Sequence, residues 1–131
     1  MTALQFVVRG VPVPQGSTRA FVVGKRAIVT NQTPKLTAWR QAIASEARLV
    51  APPALFEGAL SVDVRFAFVA AKSNKAKKGY KSTRPDIDKL LRAVLDGCTG
   101  VVWKDDAQVA HVCATKTYEE TSYVFVWVST C

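Results

Sequence analysis

Apolar and polar side chains alternate from Leu60 to Phe68, where Leu60, Val62, Val64, Phe66 and Phe68 are separated by smaller or polar residues. Alternation with a period of two is typical of a strand that buries one face. Shorter β-rich runs predict further strands at residues 4–8, at about 108–117 and at 122–128. The run from Phe21 to Val29, interrupted at Gly24, predicts a hairpin.

Two other stretches repeat apolar residues at helical spacing. The first begins where Thr33 and Pro34 supply a cap and a first turn, and Pro52 and Pro53 follow its end. Its apolar positions are Leu36, Trp39, Ile43, Ala47 and Val50. The second begins after Pro85, is expected to end at Gly97 and Gly100, and carries Ile87, Leu90, Leu91, Val94 and Leu95 on one face.

The order of these elements is strands, helix, strand, helix, strands, with no repeat and no linker. This order predicts an α+β fold in which residues 1–131 form a single domain, with a mixed β-sheet and two helices packed on one face. Trp39, Phe66, Phe68, Phe125 and Trp127 are expected in the core. Trp103 is also expected there, with the wall of a site or a dimer contact as the alternatives.

Composition narrows the class of protein. Of the 131 residues, 49% are hydrophobic and 21% are charged, which excludes wholesale disorder, and no apolar run reaches the length of a membrane span. The three cysteines are an odd number without a CxxC pair, which argues against a disulfide framework or a thiolate zinc site and favours the cytoplasm. A net charge of +8 favours a polyanion such as DNA or RNA as the partner. The alternatives are an anionic membrane surface and a soluble basic protein without such a partner.

Most of that charge lies in residues 72–92, which hold eight basic residues against two acidic ones. The basic residues are Lys72, Lys75, Lys77, Lys78, Lys81, Arg84, Lys89 and Arg92. Such a segment suits DNA phosphates, and a solvated loop is the alternative. Gln15, Ser17 and Arg19, in the early proline-containing loop, are secondary candidates for DNA contacts.

Carboxylates are concentrated beside this basic segment. Five of the ten acidic residues lie between Asp86 and Asp106, namely Asp86, Asp88, Asp96, Asp105 and Asp106. They would weaken a plain phosphate-binding face, whereas a divalent cation would link them to phosphate oxygens. Hard oxygen ligands favour Mg²⁺, with Mn²⁺ as a substitute.

Spacing decides which carboxylates can share an ion. Asp86 and Asp88 can converge only if Asp86 takes the cap position and Asp88 the first turn of the helix. Asp96 lies about 12 Å further along the axis, so a third ligand is expected from Asp106 or its neighbour Asp105. The alternatives are a plain helix cap at Asp86, an ion pair of Asp88 with Arg92, and a turn at Asp105 and Asp106.

The segment RPDIDKLLRAVLDGCTGVVWKDDAQVAHVCATK resembles the signature region of the RusA-type Holliday junction resolvases. The early segment VRGVPVPQGSTRAFVVGKRAIVTNQTPKLTAWR is similar to the start of that family, so the resemblance covers most of the chain. The family contains small homodimeric, magnesium-dependent endonucleases, common in phages and prophages, that cut four-way DNA junctions by paired nicks.

The resemblance implies that Asp86, Asp88 and Asp106 are catalytic metal ligands, with the neighbouring Asp105 as a further metal ligand. The family helix typically begins Asp-x-Asp-Asn-Leu, with a catalytic lysine four residues after the second Asp. Here Lys89 replaces the Asn and Arg92 the lysine, which keeps the charge but loses the compact ammonium. The implied function is resolution of branched DNA in recombination and repair. The main alternative is a noncatalytic DNA-binding protein with the same fold; a nucleotidyl or glycosyl transferase is disfavoured because no nucleotide-cradling glycine-rich loop is found.

Overall fold

The computed structural model describes residues 2–16, 19–24, 26–30, 33–72 and 78–131, with the backbone alone for 19–23 and 26–30. Its strands are β1 (Ala3–Arg9), β2 (Arg19–Val23), β3 (Arg26–Thr30), β4 (Leu60–Phe68), β5 (Gly79–Tyr80), β6 (Val109–Tyr118) and β7 (Tyr123–Thr130). Its helices are α1 (Pro34–Val50) and α2 (Ile87–Cys98), and a short 3₁₀ helix, Asp106–Gln108, precedes β6. The predicted α+β fold is confirmed.

Five strands form one mixed sheet in the order β1-β7-β4-β6-β5. The pair β4 and β6 is parallel, and the other pairs are antiparallel. The strands β2 and β3 pair with each other as a separate hairpin, as the sequence predicts. The short strand β5 was not predicted, since residues 70–85 show no periodicity.

Both helices cover one face of the sheet. The register aligns Leu4 with Val128 and Val128 with Val62, and all three side chains are buried. Thr33 caps α1 by accepting a hydrogen bond from the Leu36 amide at 3.2 Å, as expected. Trp103 is fully buried, which confirms its expected place in the core.

The opposite face carries no helix among the described residues, and one core prediction fails there. Trp127 is 40% exposed and Phe125 is only partly buried, because both belong to the strand positions that point away from α1 and α2. Alternation along β7 predicts two faces but does not say which of them a second layer covers. The expectation of a buried Trp127 is therefore wrong.

The second helix was expected to end at Gly97 and Gly100, and α2 does end between them, at Cys98, with Gly97 in its last turn. A Cβ at this position would stand 2.9 Å from Cγ2 of Ile43 and 3.3 Å from the Arg40 carbonyl oxygen. Gly97 therefore lets α2 approach α1 closely. In the described parts of the chain, neither helix is both long and apolar enough to cross a membrane.

Candidate functional site

Asp86 and Asp88 stand at the start of α2, in the positions that the sequence predicts. Asp86 has the extended backbone of a cap residue (φ −69°, ψ 138°), and Asp88 lies in the first turn. The Asp86 side chain makes no capping hydrogen bond, so the plain-cap alternative does not account for it. Both residues are exposed, and the carboxylates face solvent at the positive end of the helix dipole.

A cleft of about 470 Å³ opens beside Asp86. It is lined by Pro14, Arg84, Pro85, Asp86 and Lys89. The Lys89 ammonium lies 3.9 Å from Oδ2 of Asp86, and both side chains are about half exposed, so this ion pair is weak. The cleft thus combines one weakly paired carboxylate, that of Asp86, with the cationic side chains of Arg84 and Lys89.

Lys116, which no sequence pattern marks as functional, fixes the backbone just before Asp86. Its ammonium donates to the carbonyl oxygens of Thr83 at 2.7 Å and Pro85 at 2.8 Å. Its own carbonyl accepts a hydrogen bond from the Lys81 amide at 2.9 Å. Since Lys116 lies in β6, these bonds join the start of α2 to the sheet.

Gln15 holds the early loop against α2. Its side chain is 3% exposed, its Nε2 donates to Asp96 at 2.6 Å, and its Oε1 accepts from Arg40 at 3.3 Å. Its backbone amide also donates to the Lys89 carbonyl at 2.9 Å. These bonds give Gln15 a structural role, in which it joins the early loop to α1 and α2. Its expected contact with DNA stays a prediction.

Arg92 is exposed, one turn after Asp88. Its Nη1 lies 3.5 Å from the Gly16 carbonyl oxygen, at the limit of a hydrogen bond. No ion pair joins it to Asp88 in the described parts of the chain. The guanidinium is therefore only loosely held beside the two carboxylates.

Asp105 immediately precedes the 3₁₀ helix, and Asp106 is its first residue. Oδ1 of Asp105 accepts from the Ala107 amide at 2.8 Å, and Gln108 completes a capping box, so Asp105 has a structural task. The Gln108 side chain also donates to the carbonyls of Phe56 and Gly58. Asp106 is exposed, and within residues 78–131 its carboxylate has no hydrogen bond or ion pair.

These two acidic groups lie at opposite ends of α2. Pro85 is bonded to Lys116, near the end of β6, whereas Asp106 immediately precedes Val109, where β6 begins. The stretch from Val109 to Lys116 spans about 23 Å at the rise of a strand. The described residues contain no group of three acidic, His or Cys side chains able to hold a metal ion. One chain therefore does not bring Asp105 or Asp106 to the Asp86 and Asp88 pair, contrary to expectation.

The basic residues fall into three groups. Lys72, Lys78 and Arg84 are exposed and face solvent. Lys81 already has partners within the chain. Its ammonium donates a hydrogen bond to Thr83 at 2.8 Å, and it lies 5.3 Å from the ring centroid of Phe68 and 5.2 Å from that of Tyr118. The expected contacts at Ser17, Lys75 and Lys77, and at the side chain of Arg19, fall outside the described residues.

The cysteine thiols differ in their exposure to solvent. Cys98, the last residue of α2, is buried, and burial raises its pKa to about 12. Cys113 and Cys131 are exposed. The buried thiol is therefore neutral and unreactive at physiological pH.

Comparison with known proteins agrees with the sequence resemblance. The family model described as Endodeoxyribonuclease RusA matches residues 10–129. The chain is also similar to the uncharacterized protein YqaN of Bacillus subtilis (strain 168), at 29% identity over 138 aligned residues that cover 98% of this chain and 96% of the relative. The family match spans both helices and four of the five strands of the sheet, all but β1, so the chain belongs to the RusA endodeoxyribonuclease family.

Proposed function

We propose that this protein is a divalent-metal-dependent endodeoxyribonuclease that resolves four-way DNA junctions by nicking two opposed strands. The observation that carries the proposal is the pair of exposed carboxylates, Asp86 and Asp88, at the start of α2 in a chain of this family. The proposed setting is the cytoplasm of a bacterium or of a phage-infected host.

The donor set fits a hard cation. Asp86, Asp88 and Asp106 would be the ligands, and Asp105 is a weaker candidate because an amide already occupies one of its oxygens. Mg²⁺ is the preferred ion and Mn²⁺ a substitute. When bound, such an ion lowers the pKa of a water and offsets charge on the scissile phosphate.

Cationic side chains of the chain would hold the DNA. Arg92 and Lys89 lie within one turn of Asp88 and would contact the phosphate at the cut. Lys72, Lys75, Lys77, Lys78, Arg84 and Arg19 would bind the junction arms through phosphates, which positions DNA without reading its sequence. Lys81 would add its charge to this surface while its ammonium keeps its hydrogen bond to Thr83.

The proposed reaction and the position of the carboxylates both favour a homodimer. A four-way junction is nearly two-fold symmetric, and its resolution requires a cut in each of two opposed strands. Within one chain, Asp86 and Asp106 are separated by about the length of α2, roughly 17 Å. We therefore propose that each complete cluster takes Asp86 and Asp88 from one copy and Asp106 from the other.

The second candidate function is a noncatalytic protein that binds branched DNA. The observation that favours it is that the described part of one chain assembles no cluster of three metal-binding side chains. A labelled four-way junction separates the two. The nuclease cuts it with Mg²⁺ and not with EDTA, whereas the binding protein retards it in a gel under both conditions without cutting.

Mixing two inactive variants tests the shared cluster. Asp86→Asn and Asp106→Asn are each expected to be inactive alone. If the ligands come from two copies, a mixed dimer keeps one cluster without any substitution, so a mixture that has exchanged subunits regains cutting. If all ligands of a cluster come from one chain, every cluster carries a substitution and the mixture stays inactive.

A further inference from the structure

The side of the sheet that points away from α1 and α2, here called the open face, carries a column of aromatic side chains. Tyr123, Phe125 and Trp127 alternate along β7 on this face, and Trp127 is 40% exposed while the other two are partly buried. Alternate residues of a strand are about 7 Å apart. Val7, which lies beside Phe125 in the register of β1 with β7, is 38% exposed. Exposed apolar side chains gathered in this way mark an interaction surface.

Two arginines stand beside the aromatic column. The register places Arg9 next to Tyr123 and Arg65 next to Phe125, and both arginines are exposed. Within the described residues, neither guanidinium makes a hydrogen bond or an ion pair. A hollow of about 280 Å³ opens among these four side chains and Val7. The hollow therefore combines two aromatic rings with two free guanidinium groups.

The charge of the open face favours a polyanion over a second copy of the same face. Asp63, beside Trp127, is the single acidic residue at the described strand positions on this side. Two copies placed face to face would bring four arginines against two carboxylates. A nucleic acid strand supplies one phosphate for each nucleotide, and its unpaired bases stack on aromatic rings and on guanidinium planes.

We propose that the open face binds single-stranded DNA, with two or three unpaired bases on Tyr123, Phe125 and Trp127 and the phosphates at Arg9 and Arg65. DNA is the expected strand because the chain belongs to a family of endodeoxyribonucleases. The inference goes beyond the proposed function, since it adds a binding surface that takes no part in cutting. Duplex DNA would bind this face poorly, because its bases are already stacked on their neighbours.

The open face continues from the aromatic column to the basic segment. The register aligns Tyr123 with Ala67, Ala67 with Thr117, and Thr117 with Tyr80 in successive strands. Three strand spacings correspond to about 14 Å. Tyr80 is 80% exposed and lies within the basic segment of residues 72–92. A single strand on the aromatic column can therefore extend across small side chains toward further cationic groups.

Intrinsic fluorescence gives a direct test on the wild-type protein. Trp127 is exposed, whereas the other two tryptophans, Trp39 and Trp103, are buried. A strand of about ten thymidines, titrated in EDTA, should quench the fluorescence of Trp127, and duplex DNA of the same length should quench it much less. A strand of that length without bases keeps the phosphates but cannot stack. It should bind at least about fivefold more weakly.

Two variants separate stacking from charge. Phe125→Thr should weaken binding of the thymidine strand at least about fivefold and should change duplex affinity little. Arg65→Gln should reduce the slope of log affinity against log salt by about 0.7, the value for one phosphate contact on a single strand. Leu49→Ser and Arg48→Gln are the matched controls, because both residues are exposed on α1. If Phe125→Thr fails to fold, the two wild-type titrations decide.

Four results would overturn the proposal. They are no quenching by the thymidine strand, equal binding of the strand without bases, tighter binding of a uridine RNA strand, and weaker self-association of Phe125→Thr in sedimentation with unchanged affinity for the thymidine strand. The last result would make the open face an interface between copies. None of these measurements requires cutting. A protein that binds the thymidine strand as described but never cuts a junction would contradict the proposed function and keep this inference.

Discussion

At the residue scale, the two carboxylates at the start of α2 differ from ordinary capping residues. Asp86 occupies the cap position without making a capping bond, so its charge is available to a ligand. Asp105 is the opposite case, since its Oδ1 accepts from an amide and closes a capping box. The contrast predicts which acidic residues are needed for catalysis.

Replacing each candidate ligand by asparagine tests this contrast. Asp86→Asn, Asp88→Asn and Asp106→Asn should each reduce junction cutting below detection in a gel assay, because a neutral amide holds a divalent ion poorly. Junction binding should be retained or become tighter, since a negative charge beside phosphate is lost. Asp105→Asn should have a milder effect. Normal cutting by the first three variants would refute the assignment.

Lys116 is expected to act as a positioning residue. Lys116→Met removes the donor to the carbonyls of Thr83 and Pro85, so Asp86 loses its fixed backbone. We expect Mn²⁺ affinity, measured by electron paramagnetic resonance, to fall about tenfold, as for supporting residues around metal ligands. DNA affinity should change little.

Lys35→Met, an exposed lysine in α1, is the control for the loss of one charge. Lys116→Arg should recover part of the Mn²⁺ affinity. If Lys116→Met leaves that affinity unchanged while its melting temperature falls, Lys116 has a stabilising role only.

At the element scale, the sequence predicted correctly those features that depend on neighbouring residues in the chain. Thr33 and Asp86 were placed correctly as cap residues because a cap depends on its own backbone and the next few residues. The end of α2 beside Gly97 was also predicted, but the packing role of Gly97 was not, because its contact with Ile43 comes from another helix. The same limit hid the bond of Gln15 to Asp96 and that of Lys116 to Pro85, which join residues far apart in the sequence.

Gly97→Ala tests the close approach of the two helices. The added Cβ would meet Ile43 Cγ2 at 2.9 Å, and overpacking of this kind costs about 1–3 kcal/mol. Alanine regains up to about 1 kcal/mol through its helix propensity, so a net loss of about 1–2 kcal/mol is expected in urea unfolding. In an Ile43→Ala background the loss should shrink. A gain in stability in both backgrounds would show that the contact is not tight.

At the scale of the whole molecule, the proposed function assigns different roles to the two kinds of charge. The exposed basic residues around the start of α2 would supply affinity for any DNA, whereas the carboxylates would supply the chemistry. The sequence showed this excess of charge and the acidic group beside it. It did not show that Asp86 and Asp106 lie at opposite ends of α2, because that separation depends on the path of β6 through the sheet.

The basic segment is tested by replacing Lys75, Lys77 and Lys78 with alanine. Each lost phosphate contact should reduce the slope of log affinity against log salt by about one unit. Affinity for junction and duplex DNA should fall together, because phosphate contacts carry no sequence information. An unchanged slope would place the DNA surface elsewhere on the molecule.

The most direct test of the central claim is a four-way junction labelled on each of its four strands in turn. With Mg²⁺, the wild-type protein should nick one pair of opposed strands at symmetric positions and yield duplexes that a ligase can seal. The wild-type protein in EDTA and the Asp86→Asn variant in Mg²⁺ should both fail to form these products, although the variant still binds the junction. Binding by the wild-type protein without any cut in Mg²⁺ or Mn²⁺, or cuts that persist in the Asp86→Asn variant, would contradict the account.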